Sequence, residues 1–176
     1  MKSKAVILDR DGVINQAFLQ HGRPIPPRSL DELRIILGVP EAIRLLKSHD
    51  FIILCLTNQP DVSRGTMTRE GVEAINKYLQ EELQIQEIFV CFHDDRDKCE
   101  CRKPKPGGIE YFLAKYNLDR SSTYMVGDRW KDIEAGQAAG VQTVFIARDY
   151  AEKAPKDYTF SAQDLLTAAG QIVKGT

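Results

Sequence analysis

The stretch Lys4–Asn15, which reads KAVILDRDGVIN, decides the fold. Its first five residues predict a short strand that is buried on both faces. Two acidic residues, Asp9 and Asp11, follow this strand at once, and Gly12 permits a tight turn behind them. Ligands of open α/β sheets bind beyond the carboxyl ends of the strands, so both carboxylates occupy a place where chemistry is expected. Taken alone, an Asp-x-Asp pair also fits a turn or a helix cap.

Apolar runs and segments with helical periodicity alternate along the rest of the chain. Further buried strands are predicted at residues 51–57, 87–92, 123–126 and 142–147. Helices are predicted to begin at Pro40, behind a Thr68 cap, at Pro106, at Lys131 and behind a Ser161 cap. This alternation predicts an α/β fold with a doubly wound, mainly parallel sheet of five or more strands. The stretches 15–36 and 93–105 fit neither pattern and are expected to be functional loops.

The composition favours one globular domain and argues against several classes of protein. The chain has 176 residues, of which 43% are hydrophobic, and this is enough for a single domain over residues 1–176. A net charge of −1 gives no argument for a nucleic-acid or membrane partner. No apolar run approaches the length that crosses a bilayer, and no signal peptide is recognisable. We therefore expect a cytoplasmic monomer that acts on a small molecule.

Three of the four cysteines lie close together with a histidine. The pattern Cys-x-His-x5-Cys-x-Cys is formed by Cys91, His93, Cys99 and Cys101. Three thiolates and one imidazole suit a closed, tetrahedral Zn²⁺ site of the structural kind. We expect a zinc-binding loop at about residues 91–101, although reduced, metal-free thiols also fit the pattern. Cys55 stands alone in an apolar run and is expected to be a core residue.

Polar residues also follow the other predicted strands. Thr57 and Asn58 come after the second strand, Lys103 lies beyond the third, and Asp128 follows the fourth. Each of these alone fits a polar turn, a solvated basic loop or a helix cap. Because the carboxyl ends of parallel strands share one sheet edge, we expect these residues to converge with the acids of the first strand. Carboxylates suit Mg²⁺, and a lysine with a hydroxyl suits phosphate oxygens, so the set predicts phosphoryl transfer.

In order and spacing, the segments DRDG and GDRWKD, with a threonine and a lysine between them, resemble the four motifs of the haloacid dehalogenase superfamily. The resemblance implies a Mg²⁺-dependent phosphatase in which Asp9 is the nucleophile that forms an aspartyl-phosphate. Asp11 would first protonate the leaving group and then deprotonate the attacking water. Thr57 and Lys103 would hold the phosphoryl oxygens. Mg²⁺ would bind the Asp9 carboxylate, the Asp11 backbone carbonyl and Asp128.

The zinc loop, which leads directly into Arg102, resembles the heptose bisphosphate phosphatases and the related histidinol-phosphate phosphatases of that superfamily. This second resemblance implies removal of the 7-phosphate from D-glycero-D-manno-heptose 1,7-bisphosphate, with substrate contacts from Arg102, Asn15, Asn58 and Arg64. Where the group has Asn-Gln-Ser-Gly, this chain has Asn-Gln-Pro-Asp at 58–61, which bears on the substrate. No insertion is large enough for a separate cap domain, so loops must exclude water. A phosphatase of another metabolite such as histidinol phosphate, a receiver-like domain and a non-catalytic zinc-loop module remain open alternatives.

Overall fold

The computed structural model describes residues 2–175, and the elements within that range are numbered in chain order. The strands are β1 (Ser3–Leu8), β2 (Phe18–Gln20), β3 (Arg23–Ile25), β4 (Phe51–Asn58), β5 (Glu87–Cys91), β6 (Leu118–Gly127), β7 (Gln142–Ile146) and β8 (Phe160–Ala162). The helices are α1 (Val39–Ser48), α2 (Arg69–Leu83), α3 (Gly107–Lys115), α4 (Trp130–Ala138) and α5 (Leu165–Lys174). Each of the five predicted strands is present, and β6 begins earlier than predicted, at Leu118. None of the helices in the described range is both long and apolar enough to cross a membrane.

Six strands form one parallel sheet in the spatial order β5-β4-β1-β6-β7-β8. The first strand of the chain lies in the middle, with β4 on one side and β6 on the other. The chain therefore winds outward from β1 in both directions, and the predicted doubly wound sheet is confirmed. This reversal of strand order opens a crevice at the carboxyl end of β1, which is where open α/β sheets bind their ligands.

The continuous apolar run of β1 is explained by helices on both faces of the sheet. Val6 and Leu8 pack into one core cluster with residues of α1, α2 and α5. Ala5 and Ile7, which point the other way along the strand, pack into a second cluster with residues of α3 and α4. All four side chains are fully buried. A strand enclosed in this way needs an apolar residue at every position, which is the pattern that the sequence shows.

The two stretches without a sequence pattern both contain local structure. In the first, β2 and β3 pair as an antiparallel hairpin, and the carbonyl of Gly22 at its turn accepts a hydrogen bond from the Ala151 amide at 2.8 Å. The second contains a single 3₁₀ turn, Asp95–Asp97. The carboxylate of Asp94 caps this turn by accepting a hydrogen bond from the Arg96 amide at 3.1 Å. Elements of three residues are too short to show a hydrophobic period, so the sequence does not reveal them.

The two predicted side-chain caps have different outcomes. Thr68 caps α2, since its hydroxyl oxygen accepts a hydrogen bond from the Gly71 amide at 3.1 Å. The prediction for Ser161 is wrong, because this residue lies inside the edge strand β8. The cap of α5 is Asp164, whose carboxylate accepts a hydrogen bond from the Thr167 amide at 2.7 Å. Because the short strand β8 directly precedes the helix, the sequence pattern did not reveal where α5 begins.

Candidate active site

The polar residues that follow different strands meet at the carboxyl edge of the sheet. Asp9 directly follows β1, Thr57 lies near the end of β4, and Lys103 comes from the loop between β5 and α3. All three line one cavity. The Lys103 ammonium donates to Oδ1 of Asp9 at 2.8 Å and to the carbonyl oxygen of Leu56 at 2.7 Å. The structure therefore brings together the residues that the sequence places at this edge.

Lys103 is a buried cation between two carboxylates. Its side chain is only 2% exposed, and its Nζ atom also lies 2.6 Å from Oδ1 of Asp132. Burial lowers the pKa of Lys103, but the charges of Asp132 and Asp9 outweigh burial and raise it above the ordinary value. The side chain is therefore held as an ammonium ion in a fixed place, which is the arrangement that stabilises negative charge developing nearby.

More carboxylates than ammonium groups are buried around Lys103. Burial raises the pKa of Asp9 from 3.8 to about 6, and the negative charge of Asp132 adds to this effect. Burial likewise raises the pKa of Asp128 well above its ordinary value, with a further contribution from Asp9. Oxygen atoms of all three carboxylates lie within 4.8 Å of one another. One ammonium does not neutralise three buried carboxylates, so the site is suited to a further cation.

The surroundings of Asp128 identify a place for that cation. Its Oδ1 atom is buried and has no hydrogen-bond partner among residues 2–175, whereas Oδ2 accepts a hydrogen bond from the Tyr150 hydroxyl at 2.6 Å. Asp132 is fully engaged, because Lys103 contacts its Oδ1 and the Arg129 amide donates to its Oδ2 at 3.0 Å. Hard oxygen ligands of this kind suit Mg²⁺. The residues therefore fit magnesium, with Asp132 supporting the site through Lys103.

The turn after Asp9 needs glycine because the metal-site carboxylate packs directly against it. Gly12 has a φ of +90°, a backbone conformation that residues with a Cβ rarely adopt. A Cβ atom at this position would also lie 1.8 Å from Oδ2 of Asp128. The glycine of the DRDG segment thus allows the turn and leaves room for Asp128.

Asp11 lies among hydrogen-bond donors on the floor of the cavity. The Nη2 atom of Arg10 lies 3.1 Å from each carboxylate oxygen of Asp11. The amide of Asn15 donates to Oδ1 at 3.0 Å and that of Gln59 to Oδ2 at 2.7 Å. Asn15 is fully buried and does not line the cavity, so its expected substrate contact is corrected to a contact with Asp11. Nothing in the sequence indicated that Arg10 and Gln59 bind Asp11, although both adjoin motif residues.

Asn58 lines the cavity, but its amide group binds the backbone of Lys103. Its Nδ2 atom donates to the Lys103 carbonyl at 3.0 Å, and its Oδ1 atom accepts from the Lys103 amide at 3.2 Å. In this structure Asn58 therefore holds Lys103, and its expected contact with the substrate stays a prediction. This role was not visible in the sequence, because the two residues are far apart along the chain.

The four expected zinc ligands form a tight cluster at the start of the same loop. The sulfur atoms of Cys91, Cys99 and Cys101 lie 3.3–3.7 Å apart, and Nδ1 of His93 lies 3.6 Å from Cys91 and 3.5 Å from Cys101. Zn–S bonds of about 2.3 Å at tetrahedral angles place sulfur ligands about 3.8 Å apart. The cluster therefore has the size and donor set of a zinc site. Its last ligand lies two residues before Lys103.

The cavity above the acids has a volume of about 520 Å³. The β2–β3 hairpin, the loop after β4 and the zinc loop all contribute to its wall, as expected for the loops that exclude water. Besides Lys103, its basic lining residues are Arg23, Arg64, Arg102, Arg129, Lys131 and Lys153. Asp61, Asp95 and Glu152 also line it, so the basic side chains offer an anionic substrate individual donors rather than a uniformly positive wall.

The two arginines expected to bind the substrate both reach this cavity. Arg102 donates from Nε to Asp95 at 2.7 Å, while its buried Nη1 atom has no hydrogen-bond partner in the described part of the chain. Arg64 donates from Nε to Asp94 at 2.5 Å. This hydrogen bond lowers the pKa of Asp94 to about 2. Arg102 therefore offers a buried, unused donor, whereas Arg64 already binds the capped turn of the zinc loop.

The loop between β7 and β8 supplies residues that the sequence reasoning missed. Tyr150 contacts Asp128, and Arg129 forms an ion pair with Glu152. The Lys153 ammonium lies 3.7 Å from the centre of the Trp130 ring, a cation–π contact. No motif or periodicity marks this polar stretch, so only its position in the fold reveals it.

Comparison with known proteins agrees with this geometry. A family model described as haloacid dehalogenase-like hydrolase matches residues 26–140. The chain belongs to this hydrolase family. The D-glycero-beta-D-manno-heptose-1,7-bisphosphate 7-phosphatase of Haemophilus ducreyi is 31% identical to this hydrolase over 160 residues, which cover 84% of this chain and 85% of the relative. The Escherichia coli K12 protein of the same name is 32% identical over 156 residues, covering 82% and 78%.

A solved structure extends the similarity to the whole fold. The D,D-heptose 1,7-bisphosphate phosphatase from B. bronchiseptica, crystallised with magnesium and phosphate, superposes on this hydrolase with a TM-score of 0.85. The two chains are 29% identical, and the match covers 98% of this chain and 99% of the other. This membership excludes the receiver-like alternative, and the hydrolase is a phosphatase.

Proposed function

We propose that this hydrolase is a Mg²⁺-dependent phosphomonoesterase that removes the 7-phosphate of D-glycero-D-manno-heptose 1,7-bisphosphate through an aspartyl-phosphate on Asp9. The observation that carries the proposal is the setting of Asp9 on the cavity floor. Its carboxylate pairs with the buried ammonium of Lys103 and adjoins Asp128, whose Oδ1 atom is free to bind a metal. A fixed carboxylate beside a buried ammonium is suited to attack on phosphorus.

The reaction requires two proton transfers at one carboxylate. An Asp9 oxygen attacks phosphorus, and the bond between phosphorus and the ester oxygen breaks. Both oxygens of Asp11 accept hydrogen bonds in the structure, so Asp11 has to take up a proton for this step. It gives that proton to the ester oxygen, and the sugar leaves as an alcohol. Asp11, now a carboxylate, takes a proton from water as the water oxygen attacks phosphorus. The bond from Asp9 to phosphorus breaks, inorganic phosphate leaves, and Asp11 is again protonated.

Charge on the phosphoryl oxygens is stabilised by side chains that are already in place. Asn58 holds the backbone of Lys103, whose ammonium is directed at Asp9. The Gln59 amide donates to Oγ1 of Thr57 at 2.8 Å, which leaves the hydroxyl proton of Thr57 to donate to a phosphoryl oxygen. When bound by Asp9, the Asp11 backbone carbonyl and Asp128, Mg²⁺ supplies positive charge that neutralises the phosphoryl oxygens.

Two observations support a sugar bisphosphate as the substrate. The relatives at 31–34% identity carry the name of that activity. Basic side chains are among the residues that line the cavity, and Arg102 offers a buried donor to a second anionic group. We further propose that residues 1–176 act as one phosphatase domain and that the protein is a monomer, because Asp9, Thr57 and Lys103 of one chain already meet in the cavity and the proposed reaction needs no residue from a second copy.

A phosphate-release panel tests this proposal. The purified protein with Mg²⁺ is assayed on both anomers of the heptose bisphosphate, histidinol phosphate, simple sugar phosphates and p-nitrophenyl phosphate. We expect the highest kcat/KM for a heptose bisphosphate, with phosphate released from carbon 7, and no turnover by Asp9→Asn. A higher kcat/KM for histidinol phosphate would overturn the substrate assignment. Absence of turnover on every compound would overturn the proposed enzyme and favour a zinc-loop binding module.

A further inference from the structure

The two oxygen atoms of the Asp128 carboxylate have different surroundings. Oδ2 accepts a hydrogen bond from the Tyr150 hydroxyl at 2.6 Å. Oδ1 is buried and has no hydrogen-bond partner among the residues that the structure describes. A buried polar atom without a partner costs free energy, so this oxygen is one that a ligand would stabilise. The Tyr150 hydroxyl thus binds one oxygen and leaves the other for the metal.

Tyr150 reaches Asp128 from a segment that is remote from every motif. It lies between β7 and β8 and contacts the carboxylate beside the turn at Gly12. A Cβ at Gly12 would lie 2.7 Å from the Tyr150 hydroxyl oxygen, so the hydroxyl end of the side chain lies against this turn. Two residues earlier, Arg148 donates from Nη2 to the Gly12 carbonyl at 3.0 Å. These contacts place the Tyr150 hydroxyl at a defined position over Asp128.

We propose that Tyr150 is a positioning residue for the magnesium site, acting by fixing the rotation of the Asp128 carboxylate. The proposal rests on the proposed function, because it assigns the free Oδ1 atom to Mg²⁺. A phenol hydroxyl donates only one proton, and here that proton is used on Oδ2. Without it, the carboxylate would rotate about its terminal bond, and the metal would have to order it on binding. Loss of such a contact to a metal ligand typically weakens metal binding by about 10–100-fold.

The decisive variant is Tyr150→Phe, which keeps the ring and removes only the hydroxyl. The matched control is Tyr78→Phe, since Tyr78 is an exposed residue on α2. Calorimetric titration of each protein with MgCl₂, in the absence of substrate, measures the dissociation constant of the metal. We expect the constant to rise at least about tenfold in Tyr150→Phe and to stay unchanged in Tyr78→Phe. Saturating Mg²⁺ should restore most of the kcat of Tyr150→Phe, which a general loss of structure would not allow.

An unchanged Mg²⁺ dissociation constant in folded Tyr150→Phe would overturn the proposal. A second measurement uses the wild-type protein labelled with ¹³C at the ζ carbon of tyrosine and does not depend on how the variant folds. The Tyr150 resonance should shift as MgCl₂ is added, with the same dissociation constant as in calorimetry, and a resonance that does not move would also overturn the proposal. The Mg²⁺ dissociation constant and the tyrosine resonance are both measured without turnover. A wild type that binds Mg²⁺ but hydrolyses no phosphoester would therefore contradict the proposed function alone.

Discussion

Replacing Lys103 by methionine removes a buried cation while keeping most of the side-chain volume. The lost ammonium lies 2.8 Å from Asp9, 2.6 Å from Asp132 and 2.7 Å from the carbonyl of Leu56. Loss of one fixed donor to developing negative charge costs about 2.7–4 kcal/mol of transition-state stabilisation, so kcat should fall about 10²–10³-fold. Removing one partner of a buried ion pair should also lower the free energy of unfolding by about 3–5 kcal/mol.

Two assays separate these effects. Phosphate release with saturating Mg²⁺ and substrate gives kcat, and urea unfolding without added Mg²⁺ gives the change in stability. The control is Lys105→Met in the same loop, whose side chain is 42% exposed and pairs with Glu100 at the surface. The control should keep wild-type kcat and lose at most about 1 kcal/mol of stability. If Lys103→Met kept more than about a tenth of wild-type kcat, the assigned role of the lysine would be refuted.

Two further predictions concern charge and metal. The pKa of Asp9 is raised from 3.8 to about 6 in the folded protein. Between these pH values the native state carries a proton on Asp9 that the unfolded state has lost. The free energy of unfolding without Mg²⁺ therefore falls as pH rises through this range. The stability advantage of Asp9→Asn over wild type in urea unfolding should therefore grow by about 2 kcal/mol between pH 4 and pH 6, and a constant difference would contradict the raised pKa. Cys101→Ser should lose zinc by elemental analysis and lower kcat, since the zinc loop carries Lys103, whereas Cys55→Ala in the core should keep its zinc. A metal-free wild type would disprove the zinc assignment.

The central strands and the main site residues could be predicted because each has a strong local signal. β1 is buried on both faces by helices, so its sequence is apolar without interruption, and the two acids after it mark its end. Parallel pairing then brings Thr57 and Lys103 to the same edge, although they are distant in sequence. Residue patterns within a short stretch of sequence therefore predict those elements that are buried in the same way along their whole length.

The remaining features could not be predicted because they depend on contacts between distant segments. The β2–β3 hairpin and β8 have three residues each, which is too short for a period to appear. The amide group of Asn58 forms two hydrogen bonds with the backbone of Lys103, and this pairing exists only after folding. Tyr150 has no motif around it, and its contact with Asp128 requires the loop after β7 to pack against Gly12.

The central claim is that Asp9 forms a covalent bond to phosphorus during turnover, and trapping that intermediate tests it most directly. The enzyme is mixed with heptose bisphosphate and Mg²⁺, quenched in acid within the first turnover, reduced with borohydride and analysed by peptide mass spectrometry. Borohydride reduces an aspartyl-phosphate to homoserine, so we predict homoserine at position 9 and only aspartate at position 11. Homoserine at Asp11, or unmodified aspartate at both positions while phosphate is being released, would contradict the account.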